Sequence, residues 1–193
     1  MMRTAHVDRK TKETEITLDL NLDGEGIADA ETGLPFFDHM LAQLGKHAGF
    51  DLRLSARGDL EVDAHHTVED CGIVFGQALT EALGDKSGLN RFGDALVPLD
   101  EACCQVALDL SGRPYLVWEV DPGTEKIGAF DPHLAEHFFR SVTQTAALTL
   151  QVRQIAGTDP HHILECAFKA TARAFRDAVR QIGGGVPSTK GVL

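Results

Sequence analysis

The sequence is short of positive charge and has no long apolar run, and each of these absences excludes a class of protein. Lys and Arg number 18 against 29 Asp and Glu, so the formal net charge is −11. This charge argues against a general nucleic-acid-binding or anionic-membrane surface. No stretch approaches the roughly 20 apolar residues that span a bilayer, and the N-terminus lacks a signal core. We therefore expect a cytoplasmic protein with no nucleic-acid or membrane partner.

Cysteine is also sparse. The four residues Cys71, Cys103, Cys104 and Cys166 form no Cys-x-x-Cys pair and lie in apolar stretches. This setting is typical of buried free thiols, so we expect them to have no chemical role. The chain does have the length and the apolar content for a packed core, with 193 residues and 43% hydrophobic side chains. One large domain or two small ones would fit this length.

Hydrophobic periodicity predicts a mixture of strands and helices. Alternation predicts strands at 14–22, 51–54, 104–110, 115–120 and 149–155, and helical spacing predicts helices at 36–48, 67–83, 134–147 and from 161 onward. Residues 89–93 are predicted to form a loop. The turn at 111–114 predicts that the strands on either side of it pair antiparallel as a hairpin.

The order of these elements repeats along the chain. Each half reads as strand, strand, helix, strand, helix, which predicts an α+β fold with two internally duplicated units. We expect two sheets with the helices packed between them, in one compact domain. The first half-repeat is placed at 1–88, the second at 89–186, and a C-terminal tail at 187–193.

A histidine motif repeats with the halves. Each half has a His-His-x-x-Glu segment, preceded by a further histidine 26 residues earlier in the first half and 24 residues earlier in the second. Side chains of adjacent helical residues point about 100° apart, so each His-His pair has two destinations. The Glu shares a face with either histidine. The candidate metal ligands are His39, His65, His66, Glu69, His137, His161, His162 and Glu165.

One copy of this motif would be ordinary helix composition, but two copies with matching offsets predict two metal sites. Nitrogen and oxygen ligands without thiolate suit Mn, Fe, Co, Ni or Zn, and the sequence does not choose among them. It also leaves open which copy completes which site, and whether the sites lie within one chain or across a subunit boundary.

A few cations stand out in a chain that has few of them. Arg91, Arg113, Lys169 and Lys190 lie among turns or near a helix start, where a single cation is usually a solvated surface residue. Ser188 lies beside Lys190 in sequence, and a hydroxyl with an ammonium can hold phosphate oxygens. These residues are therefore candidates for binding an anion.

Several segments together carry a resemblance to a known family. They are Phe36-Phe37-Asp38-His39-Met40-Leu41, Asp63-Ala64-His65-His66-Thr67-Val68-Glu69-Asp70, Pro98-Leu99-Asp100-Glu101-Ala102, Asp109-Leu110-Ser111-Gly112-Arg113-Pro114-Tyr115, Glu136-His137-Phe138-Phe139, the second His-His-x-x-Glu and Pro187-Ser188-Thr189-Lys190-Gly191-Val192-Leu193. From about Arg9 to the C-terminus the chain resembles imidazoleglycerol-phosphate dehydratases of histidine biosynthesis. One departure is Asp159, where Asn is usual; it would either add a carboxylate near the metals or be the N-cap of the last helix, and we prefer the N-cap.

The resemblance implies a 24-subunit shell whose active sites lie between subunits and hold two Mn²⁺ ions each. The eight candidate ligands above would bind these ions. Glu13 would be the catalytic acid/base, and the substrate and phosphate contacts would be Gln43, Arg91, Arg113, Lys169, Ser188 and Lys190. The tail would then bind substrate.

The reaction that the resemblance implies converts D-erythro-imidazole-glycerol phosphate to imidazole-acetol phosphate. No carbonyl is present to accept electrons, so the imidazole ring must do so, and metals on the ring nitrogens would favour its imidazolate form. A carboxylate such as Glu13 would move the carbon proton, and the remote phosphate would orient the ring. Two alternatives remain: a dinuclear hydrolase, and a non-catalytic metal-binding or shell-forming protein. Neither a storage shell nor a structural metal site needs Glu13 or the pair of Ser188 and Lys190.

Overall fold

The computed structural model describes residues 2–193 and contains two four-stranded sheets and four helices. In chain order the elements are β1 (Thr4–Lys10), β2 (Thr14–Asn21), β3 (Ala28–Glu31), α1 (Pro35–Ala48), β4 (Asp51–Gly58), α2 (His65–Leu83), β5 (Phe92–Leu99), β6 (Ala102–Asp109), β7 (Tyr115–Glu119), α3 (Leu134–Ala146), β8 (Thr149–Ala156) and α4 (Pro160–Ala178). The predicted α+β class and the internal duplication are confirmed.

Both halves have the same strand topology. The first sheet has the order β1-β2-β4-β3 and the second β5-β6-β8-β7, and in each sheet the last pair is parallel while the others are antiparallel. Each half therefore has three strands before its first helix, whereas the predicted order has two and the predicted ranges include only β2 in the first half and β6 and β7 in the second. The strands that periodicity missed, β1, β3 and β5, all lie at sheet edges, where exposure weakens the alternation; β5 also contains Pro98, which an edge strand tolerates.

The predicted hairpin across 111–114 is wrong. β7 does not pair with β6; it pairs parallel with β8, which lies between them. The turn itself is real, since Gly112 has φ +71° and Ser111 Oγ accepts a hydrogen bond from the backbone N–H of Arg113. A turn signal is local, however, and does not determine which strand comes alongside. The crossover through α3 determines it, because β7-α3-β8 needs a helix to join two parallel strands.

Helix ends agree closely with the sequence signals. α1 ends at Ala48, as predicted, and the left-handed conformation of the next residue, Gly49, lets its N–H reach the carbonyls of Gly45 and Lys46. The interpretation of Asp159 as an N-cap is confirmed, because its carboxylate accepts from the backbone N–H groups of His161 and His162. α2 begins at His65, two residues before the predicted start, so both His-His pairs occupy the first turn of a helix.

The four helices fill the space between the sheets. α1 and α2 pack on the first sheet and α3 and α4 on the second, and α2 also packs against α3 and α1 against α4. The core is rich in fully buried phenylalanine, namely Phe37, Phe50, Phe75, Phe130, Phe138, Phe139, Phe168 and Phe175. The cysteines are free, as predicted, and only Cys103 is partly exposed. Within residues 2–193 no helix combines the length and apolar character needed to cross a membrane.

Candidate active site

One cluster joins the two halves through α1 and α4. His39 Nε2 and His161 Nε2 each lie 3.0 Å from the same oxygen, Glu165 Oε2. Ligand atoms of the three side chains all lie within 4.8 Å of one another. Two imidazoles and a carboxylate at this spacing are a suitable donor set for a borderline divalent metal, so the residues present fit the predicted cofactor.

Lys169 extends this cluster by one turn of α4. Its ammonium lies 2.5 Å from Glu165 Oε1. Burial opposes ionisation of Glu165, but hydrogen bonds from Lys169, His39 and His161 outweigh it and lower the pKa of this carboxyl to about 2. Glu165 is therefore anionic at neutral pH, as a metal ligand must be.

A second cluster joins the halves in the reciprocal way, through α2 and α3. The ring centroids of His65 and His137 are 4.6 Å apart, and His65 Nε2 lies 3.8 Å from Glu69 Oε2. The helices approach closely because α2 carries Gly72 and Gly76 at the contact. A Cβ on Gly72 would lie 2.6 Å from the carbonyl oxygen of Phe138, which is the residue after His137.

The second histidine of each pair points elsewhere, as the helical geometry predicted. The two rings of each pair stand nearly perpendicular, with interplanar angles of 84° for His65 and His66 and 80° for His161 and His162. Neither His66 nor His162 belongs to the clusters above. Each has a carboxylate partner on its Nδ1 instead.

His66 and His162 are supported by different carboxylates. His66 Nδ1 lies 3.0 Å from Asp59 Oδ2 and 4.0 Å from Glu13 Oε2. His162 Nδ1 lies 2.8 Å from Glu101 Oε2. The hydrogen bond to Asp59 raises the pKa of His66, and the bond to Glu101 raises that of His162.

Four of the predicted substrate-binding residues line one cavity of about 630 Å³: Arg91, Arg113, Ser188 and Lys190. Arg91 is held by Asp109, with its Nε 2.7 Å from one carboxylate oxygen and Nη2 3.1 Å from the other. Its Nη1 donates to the carbonyl of Pro187 at 2.8 Å, which ties the C-terminal tail to the second sheet. The cavity thus carries three cations beside a hydroxyl, a composition suited to phosphate.

The other two predicted substrate contacts lie apart from that cavity. Lys169 lines a separate cavity of about 370 Å³ together with His47 and Arg173. Gln43 Oε1 lies 3.1 Å from His47 Nε2. Burial, with the positive charges of Lys169 and Arg173, lowers the pKa of His47, so this ring is neutral at physiological pH.

Three acidic residues at the site were not among the predicted functional residues: Asp59, Glu101 and Asp109. Each holds a predicted ligand or a predicted phosphate contact. Glu101 and Asp109 lie inside segments that carry the resemblance, and that was the available signal. Asp59 follows a strand end in an ordinary turn, so nothing in its local sequence distinguished it.

The fold and these clusters define an internally duplicated α+β enzyme. A family model described as imidazoleglycerol-phosphate dehydratase matches residues 32–175. Among the relatives, the imidazoleglycerol-phosphate dehydratase of Frankia casuarinae is 58% identical over the full length of both chains, and that of Acidothermus cellulolyticus is 59% identical over 99% of this chain and 93% of its own.

Two solved structures also resemble this one. The imidazoleglycerol-phosphate dehydratase of Staphylococcus aureus has a TM-score of 0.83 at 36% identity and covers 92% of this chain and 99% of its own. That of Pyrococcus furiosus, in complex with (S)-C348, has a TM-score of 0.84 at 35% identity and covers 97% of this chain and 100% of its own. The chain belongs to the imidazoleglycerol-phosphate dehydratase family, and it is a hydro-lyase of histidine biosynthesis. This assignment favours the dehydratase over the hydrolase and the non-catalytic shell.

Proposed function

We propose that this chain dehydrates D-erythro-imidazole-glycerol phosphate to imidazole-acetol phosphate with the aid of two Mn²⁺ ions per active site. The observation that carries this proposal is the pairing of clusters across the halves: His39 with His161 and Glu165, and His137 with His65 and Glu69. Two sets of imidazole and carboxylate donors on one duplicated scaffold match a cofactor of two ions. His66 and His162 complete the eight proposed ligands.

When bound, the metals would supply Lewis-acid stabilisation at the nitrogens of the substrate's imidazole ring. The protein contributes orientation and proton transfer. Arg91, Arg113, Ser188 and Lys190 hold the phosphate, and its binding energy positions the ring at the other end of the substrate. Gln43 and Lys169, near His47 and the first cluster, are the remaining proposed substrate contacts.

Glu13 is the proposed acid/base. Its side chain is 54% exposed, and among residues 2–193 its nearest ion-pair partner is His66 at 4.0 Å, so its carboxylate is free to take a proton. The hydroxyl leaves from the carbon beside the ring, and the neighbouring carbon loses its proton to Glu13. The proton and the hydroxide together make the water that is released, and the enol that remains becomes the ketone.

A complete site requires a second copy of the chain in this proposal. Each cluster has three proposed ligands from one chain, whereas His66 and His162 belong to neither cluster and lie beside Asp59 and Glu101 instead. Ligands that are divided in this way are brought together when subunits meet, which favours the proposed 24-subunit shell with active sites at the interfaces.

The decisive experiment measures consumption of imidazole-glycerol phosphate by chelator-treated protein, with and without added Mn²⁺. We expect imidazole-acetol phosphate only when the metal is restored, and no product under metal-replete conditions would overturn the proposal.

Sedimentation velocity on the same samples tests the assembly. We expect smaller species after metal removal, and an unchanged sedimentation coefficient would contradict ligands that cross subunits.

A further inference from the structure

The histidine pairs are supported by carboxylates that come from different parts of each half. Sheet register relates the two halves: Lys10 pairs with Glu15 in the first sheet as Pro98 pairs with Cys103 in the second. Glu13 therefore corresponds to Glu101, since each stands two residues before the second strand residue of these pairs. Glu13 and Glu101 thus occupy equivalent positions, but their contacts differ.

In the second half, both oxygens of Glu101 are engaged. Oε1 accepts from the backbone N–H groups of Thr158 at 3.1 Å and Asp159 at 2.9 Å, and Oε2 faces His162 Nδ1 at 2.8 Å. A carboxylate so occupied is poorly suited to proton transfer but well suited to holding a ring.

In the first half, the carboxylate that contacts the second histidine of the pair belongs to Asp59, directly after β4. Its two oxygens lie 3.0 and 3.2 Å from His66 Nδ1, and its side chain has no second hydrogen-bond partner within residues 2–193. The residues after β8 are Gly157 and Thr158, neither of which carries a carboxylate. Each half thus supplies one hydrogen-bonding carboxylate to its histidine, and Glu13 comes no closer to His66 than 4.0 Å.

We propose that Glu101 and Asp59 are positioning residues that fix the tautomer of His162 and His66, placing the proton on Nδ1 and leaving Nε2 to bind metal. A neutral imidazole carries one N–H, so a carboxylate acceptor at Nδ1 determines which nitrogen keeps a lone pair. Histidine ligands in metal sites commonly donate their other N–H to a carboxylate in this way. The inference rests on the proposed function only in taking His162 and His66 as ligands.

Replacing each carboxylate by an amide is expected to have different effects. In Glu101→Gln, the N–H groups of Thr158 and Asp159 need an acceptor and bind the amide oxygen, so the NH₂ group faces His162 Nδ1. That nitrogen must then accept, the proton moves to Nε2, and the lone pair for the metal is lost. In Asp59→Asn the amide is free to turn its oxygen toward His66 Nδ1–H, so the correct tautomer survives.

The test compares Mn²⁺ binding by the wild type, Glu101→Gln and Asp59→Asn, measured by titration of metal-free protein and by metal content after desalting. We expect Glu101→Gln to weaken binding about 10–100-fold, the range for lost support of a histidine ligand, and Asp59→Asn to change it little. Equal effects of the two variants, or unchanged binding by Glu101→Gln, would overturn the inference. Because no substrate is involved, failure here is separate from failure of the dehydratase proposal.

A second measurement covers the case in which Glu101→Gln does not fold. Metal-free wild type labelled with ¹⁵N-histidine is examined at a pH where the rings are neutral, with His162→Gln used to assign the His162 signals. We expect the proton on Nδ1 of His162. A signal for the Nε2–H tautomer would overturn the proposal without any variant of Glu101.

Discussion

The loop that joins the first two strands of each half ends in a glutamate, and the two glutamates have different surroundings. Glu13 lies 4.0 Å from His66 and makes no closer ion pair within residues 2–193, whereas Glu101 binds His162 and two backbone N–H groups. The difference follows from one residue, Asp59, which supports His66 in the first half. A duplicated scaffold can thus keep one copy of a carboxylate as structure and leave the other free for chemistry.

The glutamates of the two clusters differ in a similar way, because the one in the second half has more partners than the one in the first half. Glu165 is 11% exposed and receives His39, His161 and Lys169, whereas Glu69 is 45% exposed and lies 3.8 Å from its histidine. The first cluster is closely packed, while the second is looser and more open. Substitutions that act on one half and spare the other test these contrasts.

The largest expected effect is that of Glu13→Gln on turnover. Loss of a general acid/base reduces rate by about 10²–10⁴-fold, so we expect kcat to fall within that range while Mn²⁺ content and assembly stay unchanged. The matched control is Glu15→Gln, which removes the same charge from an exposed residue paired with Lys10 and should retain wild-type kcat. Full turnover by Glu13→Gln would remove this residue from the mechanism.

The second prediction concerns the contact that builds the second cluster. In Gly72→Val the new side chain meets the carbonyl of Phe138 and the Cβ of Ser141. Overpacking of this kind costs about 1–3 kcal/mol, and we expect that loss in the free energy of unfolding from urea titration. Gly185→Val is the control, because a Cβ there has no neighbour within 4 Å. Equal stability of the two variants would show that α2 and α3 do not need glycine to approach.

The third prediction compares the two cluster glutamates in metal-free protein. Glu165→Gln leaves the Lys169 ammonium without its carboxylate in a half-closed site, which should cost about 1–3 kcal/mol of unfolding free energy. Glu69→Gln changes an exposed side chain and should stay within about 0.5 kcal/mol. A loss for Glu69→Gln as large as that for Glu165→Gln would mean that the clusters are equally preformed.

The smallest expected effect is a difference between the two halves in how their contribution to stability depends on pH. Asp51 accepts hydrogen bonds from the backbone N–H groups of Ile27 and Glu25, and these bonds lower its pKa. Its counterpart at the start of β8 is the neutral Thr149. A lowered carboxyl pKa stabilises the fold above the unfolded value near 3.9 and loses that contribution as pH falls through the folded value.

We therefore expect Asp51→Asn to lose about 1 kcal/mol at pH 7 and to lose less stability than the wild type as pH falls below about 4. Thr149→Val, which removes only neutral hydrogen bonds, should parallel the wild type over the same pH range. Thermal melts at a series of pH values measure both. Parallel curves for wild type and Asp51→Asn would show that Asp51 does not contribute to acid sensitivity.

Local signals predicted the helices well and the strands less well. The helices were found because their signals are local. Apolar spacing marks the body of each helix, and caps such as Gly49 and Asp159 act on the helix turn next to them. Edge strands such as β3, with the sequence Ala-Asp-Ala-Glu, have little alternation and are held mainly by their neighbour. The false hairpin at 111–114 has the same origin, since β8 comes from far along the chain to separate β6 from β7.

By itself the sequence determined that two His-His-x-x-Glu motifs exist, that each lies at or just before the start of a helix and that adjacent helical histidines diverge. These facts depend only on helical geometry. The tertiary structure alone decided that His39 of the first half meets Glu165 of the second, that His65 meets His137, and that Asp59 and Glu101 support the remaining rings. Such pairings depend on which helices pack together and how closely, and that is a property of the whole core.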